Sequence, residues 1–381
     1  MPAITVVIST FNYGRFLEEA IQSVLAQSFR DFEVIVVDGG STDNTREVVG
    51  RFGAQLRFLQ VPSRWPNRSR NAGIAAATGD FIAFLDADDK WLPQKLELQM
   101  AVARKYPDVG LIYGGMYRFE SRTGALIVRH PIEKCPVGYV LRPLYFWQFV
   151  PSPTVVVPRH VFEAVGPFEE ERIGSDDWEM WLRIASRYSF ERVNAAVALY
   201  RMHRSQASSR DFKALDAHLD EMIKFFDTAA RSYPELRELR GVRVASYLEM
   251  VGWRLVQRGS LGSGRARLRQ AIAVAPLRVT PQLRLLASYF CRSRDEGGFQ
   301  RAAAAYVRGK HELFNLRAEA ARAFFVRAIR DSSLSDPRPV AAWVATFLGR
   351  KAVANLRSRL HQDFYCESPC SPSEEIEFEQ W

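Results

Sequence analysis

Three carboxylates crowd into four residues where Phe81-Ile82-Ala83-Phe84-Leu85 gives way to Asp86-Ala87-Asp88-Asp89. Such groups repel one another, and the cluster is inexpensive only with a cation among them, most naturally a hard divalent ion with oxygen ligands. Magnesium keeps one or two protein carboxylates and takes its other ligands from water and phosphate, so an Asp-x-Asp at a strand end points to a metal–diphosphate site. A solvated turn capping a helix that opens near Trp91-Leu92-Pro93 is the competing reading of the string alone. A second carboxylate pair stands in Gly174-Ser175-Asp176-Asp177-Trp178, ahead of a helix whose apolar face includes Trp178, Trp181, Leu182 and Ile184-Ala185. Adjacent carboxylates at a desolvated site raise one another's pKa toward the range useful for proton abstraction, while Ser175 or Asp176 also suits a helix N-cap.

The elements that must position these groups alternate. Residues 4–9 form an apolar run. Residues 16–27 carry apolar side chains at 16, 17, 20, 21, 24 and 25, a helical spacing, and residues 32–37 form a β-branched run. Ser41 or Asp43 can cap a helix beginning near Asn44; residues 56–59 read as a third strand, residues 69–77 as a helix, and residues 81–85 as a buried strand. This alternation predicts right-handed βαβ units and a mostly parallel sheet, whose ligands lie at the carboxyl ends of the strands. Three loops at those ends share one chemistry: Ser9-Thr10-Phe11-Asn12-Tyr13-Gly14, Asp38-Gly39-Gly40-Ser41-Thr42-Asp43, and the acidic turn. Glycines permit close backbone approach, Asp38 can accept from a base or ribose, and Phe11 and Tyr13 can flank a ring, which is what a nucleotide pocket needs.

At 381 residues the chain is long enough for two domains, and its 47% hydrophobic and 25% charged content is that of a soluble globular protein. The net charge of +9 is unevenly spread: residues 1–240 hold 30 basic against 30 acidic side chains, residues 241–361 hold 22 against 7, and residues 362–381 none against 6. The charge therefore belongs to a segment away from the acidic turn. Strand signals stop at residue 211, and helical periodicity marks residues 215–230, 242–257, 264–275, 283–290, 302–314, 317–329 and 340–359. An echo between GRARLRQAIAVAP and ARAFFVRAIRDSS suggests paired helices of repeat type. Arg-rich amphipathic helices with Trp343, Phe347 and Leu348 suit an anionic membrane surface, a solvated basic face being the alternative. No nucleic-acid-binding motif accompanies the charge. Residues 366–381, rich in Ser, Pro and Glu, read as disordered. Four scattered cysteines do not make a disulfide framework, no signal peptide opens the chain, and no run reaches the roughly 18 to 20 apolar residues of a membrane span. These features predict a cytoplasmic protein with membrane contact only at a surface.

The wording of several segments carries a resemblance. VVISTFNYGRFLEEAIQSVLAQSFRDFEVIVVDGGSTDNT and SRNAGIAAATGDFIAFLDADDKW, followed by PSPTVVVPRHVFEAVGPFEE, SDDWEMWLRIA and YRMHRSQAS, resemble an inverting family 2 glycosyltransferase. The resemblance covers roughly residues 3–210. It implies an α/β, GT-A-type Rossmann-like sheet flanked by helices as a catalytic domain over residues 1–210, followed by an all-α basic region over 211–361 and an acidic tail over 362–381. By the same resemblance, Thr10, Phe11, Asn12 and Asp38 hold the nucleotide base and Arg70 lies near base and diphosphate. Asp86 faces the ribose, Asp88 ligates Mg2+ or Mn2+, and His203 approaches the metal or diphosphate. Asp177 is the implied catalytic base with Asp176 as its partner. Asp89 is left a supporting or capping role, and a solvated helix charge is the alternative for Arg70. The family's usual Asp-Asp-Gly-Ser is Asp38-Gly39-Gly40-Ser41 here, one carboxylate short. The implied donor is a nucleotide-diphosphate sugar. The implied acceptor is a carbohydrate or lipid-linked carbohydrate of cell-surface polysaccharide or glycoconjugate synthesis at the inner face of the plasma membrane. Residues 113–119 and 139–150 suit walls of an acceptor pocket as well as a plain core. A non-catalytic nucleotide-sugar binder whose helical half recruits a partner is the second reading, supported by Gly39. A nucleotidyltransferase is the third, and the glycine- and basic-rich phosphate loop it calls for is missing from the amino terminus.

Overall fold

The structure, a computed structural model, describes residues 1–63, 65–170, 176–203 and 218–276 together with Pro281. The described residues fall into two compact units, the first ending at His203 and the second starting at His218. The first begins with β1 (Ile4–Thr10), α1 (Gly14–Leu25), β2 (Phe32–Asp38), α2 (Thr45–Gly50), β3 (Arg57–Gln60), α3 (Pro66–Ala76) and β4 (Phe81–Asp86). All seven residues of β1 are buried, as are the last five of β2 and the central four of β4. Strands that bury both faces read as continuous apolar runs, and these three pair in parallel as that pattern predicts. β3 extends the parallel half on the far side of β2.

Register decides where chemistry can collect. Thr10 pairs with Asp38, and Ser9 with Asp86, so β1, β2 and β4 end level and deliver their loops to one edge. Two layers of side chains hold the strands there. Ile4, Val6 and Ile8 pack with Leu17, Ala20, Ile21 and Val24 of amphipathic α1. On the other face α3 lies so close that a Cβ on Gly73 would meet Val7 Cγ1 at 2.3 Å.

Beyond β4 the sheet becomes mixed. β5 (Lys90–Trp91), α4 (Lys95–Lys105), β6 (Leu111–Glu120), β7 (Leu126–Arg129), α5 (Leu141–Phe146), β8 (Val156–Pro158), α6 (Arg159–Val165), α7 (Asp176–Ala185) and β9 (Phe190–Met202) complete the unit. The strand order is β3-β2-β1-β4-β8-β6-β9-β5, with β7 on β6. β8 runs antiparallel to β4 and to β6, while β9 lies parallel to β6 and antiparallel to β5. β5 follows the acidic turn directly, and its pairing of Lys90 with Leu199 brings the end of β9 to that turn.

Several boundaries differ from the sequence expectations, among them these three. No helix opens at Trp91; that residue is buried in β5, with its amide on Ser23 Oγ (3.0 Å) and its indole Nε1 on Pro153 O (2.8 Å), and the helix starts at Lys95, past Pro93. α3 starts at Pro66 instead of Ser69, because proline is pre-set for the first helical turn. The third strand lies one residue later, at Arg57–Gln60.

The second unit contains α8 (Leu219–Ser232), α9 (Arg240–Gln257) and α10 (Leu261–Val274). Where α9 meets α10, a Cβ on Gly252 would lie 2.8 Å from Gly264 O and one on Gly264 would lie 2.6 Å from Gly252 O, so the pair touches nearly backbone to backbone. The helices expected between 283 and 359, with Trp343, Phe347 and Leu348, and the tail lie outside the described residues. Among the described residues no helix is long and apolar enough to cross a membrane.

Candidate active site

The acidic turn is closed by Asp89 N donating to Asp86 O (3.0 Å) and tied to β1 by Ala87 N donating to Ser9 O (3.1 Å). Its three carboxylates have three different surroundings. Asp86 Oδ1 accepts from Ser9 Oγ at 3.0 Å and from Arg70 Nη2 at 3.1 Å. Arg70 is only 6% exposed and also donates to Asn67 Oδ1 at 2.9 Å, so it is a buried partner of Asp86 and not a solvated helix charge. Asp88 Oδ2 lies 3.0 Å from His203 Nε2. The rings of Tyr13 and Phe16 stand 5.6 and 4.8 Å from the His203 ring and fix its plane.

Asp89 is buried and does not cap a helix: its Oδ1 accepts from Arg201 N at 2.9 Å. Burial first, then the neighbouring charges of Asp88 and Asp86, pushes its carboxyl well above the usual range. Glu19 on α1 receives Lys90 Nζ and Arg201 Nη2, each at 3.0 Å. Burial opposes its ionisation, but these two cations hold its pKa below the ordinary value.

The donor set fits a small hard cation. A carboxylate oxygen and an imidazole nitrogen 3.0 Å apart have the spacing of neighbouring ligands in an octahedron with bonds of about 2.1 Å. Among the described residues no group of three His, Cys, Asp or Glu side chains could hold a metal. An ion that shares its sphere with phosphate and water would need no more than these two side chains from the protein.

The loops after β1 and β2 brace each other. Asn12 takes a left-handed backbone (φ 58°), a conformation asparagine tolerates, and its amide donates to Ser41 Oγ while its own Oδ1 accepts from Thr42 N, both at 2.8 Å. Asp38 is buried, and its carboxylate accepts from Ser41 N (3.0 Å), Ser41 Oγ (2.6 Å) and Gln60 Nε2 (3.3 Å), which fixes the second loop. Gly39 N donates to Thr10 O at 2.8 Å, and Thr10 Oγ1 is buried without a hydrogen-bond partner among the described residues. Phe11 is exposed beside them. Thr10, Asn12, Asp38, Arg70, Asp86, Asp88 and His203 are thus joined through contacts at one sheet edge.

The second carboxylate pair of the sequence stands at the start of α7. Asp177 is half-buried in the first turn, while the Asp176 side chain and Ser175 lie outside the described residues. Trp178 Nε1 donates to Leu144 O at 2.6 Å, and Trp181 is buried with its ring centroid 5.9 Å from that of Phe168, so the helix is anchored by its apolar face. α3 grips the segment that precedes α7. Asn71 exchanges two bonds with the Phe168 backbone (2.8 and 2.9 Å), Asn67 Nδ2 donates to Glu169 O (2.8 Å), and Arg68 pairs with Glu170 (2.9 Å).

Sequence reasoning missed Glu19, Gln60 and Arg201 as members of this constellation. Arg201 carried a usable signal, since residues two apart on a strand share a face and His203 follows it by two. Glu19 carried none, being one of many charges on α1.

Residues 5–150, which contain all three loops, match the model described as Glycosyl transferase family 2. Over these residues the chain is similar to family 2 glycosyl transferases. The uncharacterized glycosyltransferase alr2836 of Nostoc sp. is 34% identical over 189 residues, 47% of this chain and 56% of that protein. The chain thus spans little more than half the length of this curated relative. An Escherichia coli relative, UDP-Glc:alpha-D-GlcNAc-diphosphoundecaprenol beta-1,3-glucosyltransferase WfgD, is 27% identical over 243 residues, covering 60% of this chain and 89% of WfgD. Among solved structures, mannosyltransferase PcManGT from Pyrobaculum calidifontis in complex with GDP-Man and Mn2+ aligns over 87% of each chain with a TM-score of 0.49 and 19% identity.

Proposed function

We propose that this chain transfers a sugar from a nucleotide-diphosphate donor to an acceptor hydroxyl with inversion, in cell-surface polysaccharide or glycoconjugate synthesis. The observation that carries the reading is the junction of two side-chain contacts at one turn, the ion pair of Arg70 with Asp86 and the 3.0 Å approach of His203 Nε2 to Asp88 Oδ2. Asp88 and His203 would hold Mg2+ or Mn2+, which when bound neutralises the charge growing on the departing diphosphate. Asp38, Asn12 and Ser41 shape the loops that receive the base, Phe11 offers an exposed ring to it, and Asp86, oriented by Ser9 and Arg70, faces the ribose. Asp177, beside Asp176, accepts the proton of the acceptor hydroxyl. The freed oxygen attacks the anomeric carbon from the side opposite the diphosphate, the old carbon–oxygen bond breaks, and its electron pair leaves with the nucleotide. The relative WfgD, whose name specifies a diphosphoundecaprenol-linked acceptor, supports a lipid-linked carbohydrate as acceptor class and hence a peripheral membrane location.

Gly39 does not favour a binder without activity, because its missing side chain has a packing cause: a Cβ there would lie 2.5 Å from Ser63 O. The test is release of nucleotide diphosphate from UDP-Glc, UDP-GlcNAc and GDP-Man with Mn2+, comparing wild type with Asp177→Asn. Turnover lost in the variant while nucleotide binding persists is the expected result. Wild-type turnover in Asp177→Asn would overturn the base assignment.

A further inference from the structure

We propose that Arg201 is the positioning residue that sets the Asp88 carboxylate for its cation, an inference that rests on the reading of Asp88 and His203 as the metal pair. The guanidinium of Arg201 is 4% exposed and spans two anchors. Its Nε donates to Asp88 O at 2.7 Å, and its Nη2 donates to Glu19 Oε2 at 3.0 Å. Its backbone amide donates to Asp89 Oδ1 at 2.9 Å. One residue therefore holds the turn at two successive positions, by main chain and by side chain.

The guanidinium itself cannot drift. Its central carbon stands 4.6 Å from the centroid of the Phe16 ring and 4.7 Å from that of Phe119, a cation held between two aromatic faces. Phe16 is also the ring that packs 4.8 Å from His203. Two residues further along the chain, His203 Nε2 reaches Asp88 Oδ2 at 3.0 Å. Arg201 thus fixes the peptide from which the Asp88 side chain springs, and His203 meets the carboxylate that peptide presents. Lysine at 201 would keep the charge but has one nitrogen and no planar fork, so it cannot serve Asp88 O and Glu19 in the same geometry.

Groups that orient a metal ligand without touching the metal carry much of its affinity, and their loss weakens binding about 10- to 100-fold. The experiment is a Mn2+ titration in the presence of UDP or GDP, followed by the electron paramagnetic resonance signal of free Mn2+, on wild type, Arg201→Met, Arg201→Lys, Glu19→Gln and Asp88→Asn. Circular dichroism melting confirms that each variant is folded. Arg201→Met is expected to weaken Mn2+ by at least about tenfold. Arg201→Lys should recover part of that loss, and Glu19→Gln, at a half-exposed position where folding is not at stake, should show a smaller one. Under a merely structural role the folded fraction falls but its Mn2+ affinity does not. Wild-type affinity in folded Arg201→Met, or in Glu19→Gln should Arg201→Met not fold, overturns the proposal while Asp88→Asn still loses Mn2+. Wild-type affinity in Asp88→Asn overturns the metal reading itself, and with it the proposal.

Discussion

Gly39 is the position where the chain departs from the Asp-Asp-Gly-Ser usual in the family it resembles, and a single methyl group tests why. A Cβ at 39 would sit 2.5 Å from Ser63 O and 3.3 Å from Phe11 Cδ2, whereas a Cβ at Gly50 would meet nothing within 4 Å. The obstacle is a backbone oxygen of a residue whose own amide is bonded to Gly39 O (3.1 Å), just after Val61 N bonds Asp38 O (2.8 Å), so the backbone on the near side of it is tied to this loop. Ser63 O must retreat by about 0.9 Å to reach the 3.4 Å at which ordinary contact begins. Overpacking of this kind costs about 1–3 kcal/mol. Gly39→Ala and Gly50→Ala restrict the unfolded chain equally, which removes the entropic gain of about 0.4–1 kcal/mol from the comparison. In a unit of this size each kcal/mol moves the midpoint by about 2–4 °C, so Gly39→Ala should melt roughly 2–12 °C below Gly50→Ala by circular dichroism. Because Ser63 and Phe11 border the expected base pocket, Gly39→Ala should also raise the KM for donor, with Gly50→Ala unchanged. Coincident melting curves would refute the packing account of Gly39.

Asn71→Ala strips both bonds from the Phe168 backbone and should cost about 1–3 kcal/mol in urea unfolding, with kcat falling because the segment leading to α7 loosens. An unchanged kcat would detach α3 from the placement of Asp177. Lys95 is wholly buried, with Nζ on Gln99 Oε1 (2.6 Å) and Val155 O (3.2 Å), and burial holds its pKa well below the ordinary lysine value. The unfolded chain then binds the proton that the folded one gives up, so this residue makes stability rise with pH from its folded pKa up to the unfolded value. Lys95→Met should flatten the gain in urea midpoint between pH 7 and 9.5, and equal gains in the two proteins would refute that assignment.

What could be read in advance was whatever rests on local pattern. Residues 4–10, 34–38 and 82–85 are buried, so their apolar runs announced parallel strands, and the polar residues that end them announced the three loops. Trp91 misled because a β-strand of two residues has no period to detect, and its burial depends on Ser23 and Pro153 far away in sequence. Asp89 looked like a cap for the same reason: its partner, the amide of Arg201, is 112 residues distant. Asp38 was legible as the polar residue that ends β2, but the bonds that hold it, from Ser41 and Gln60, require the β2–β3 pairing to be known first.

α3 touches both the acidic turn and the segment that ends shortly before α7. From one face of this helix Arg70 reaches Asp86, while Asn67, Arg68 and Asn71 hold residues 168–170 ahead of the helix that carries Asp177. Positions 67, 70 and 71 are three and four apart, so they share a side of the helix and move as one body. A loop in that place would let the acidic turn and residues 168–170 drift independently, whereas a reactive constellation must be held within about 0.5 Å. The cost of this arrangement is a buried arginine, which is acceptable only because Asp86 and Asn67 receive it. Arg70→Met should therefore act at both ends of the site, freeing Asp86 and loosening the approach of α7, whereas a change at Ser9 disturbs Asp86 alone.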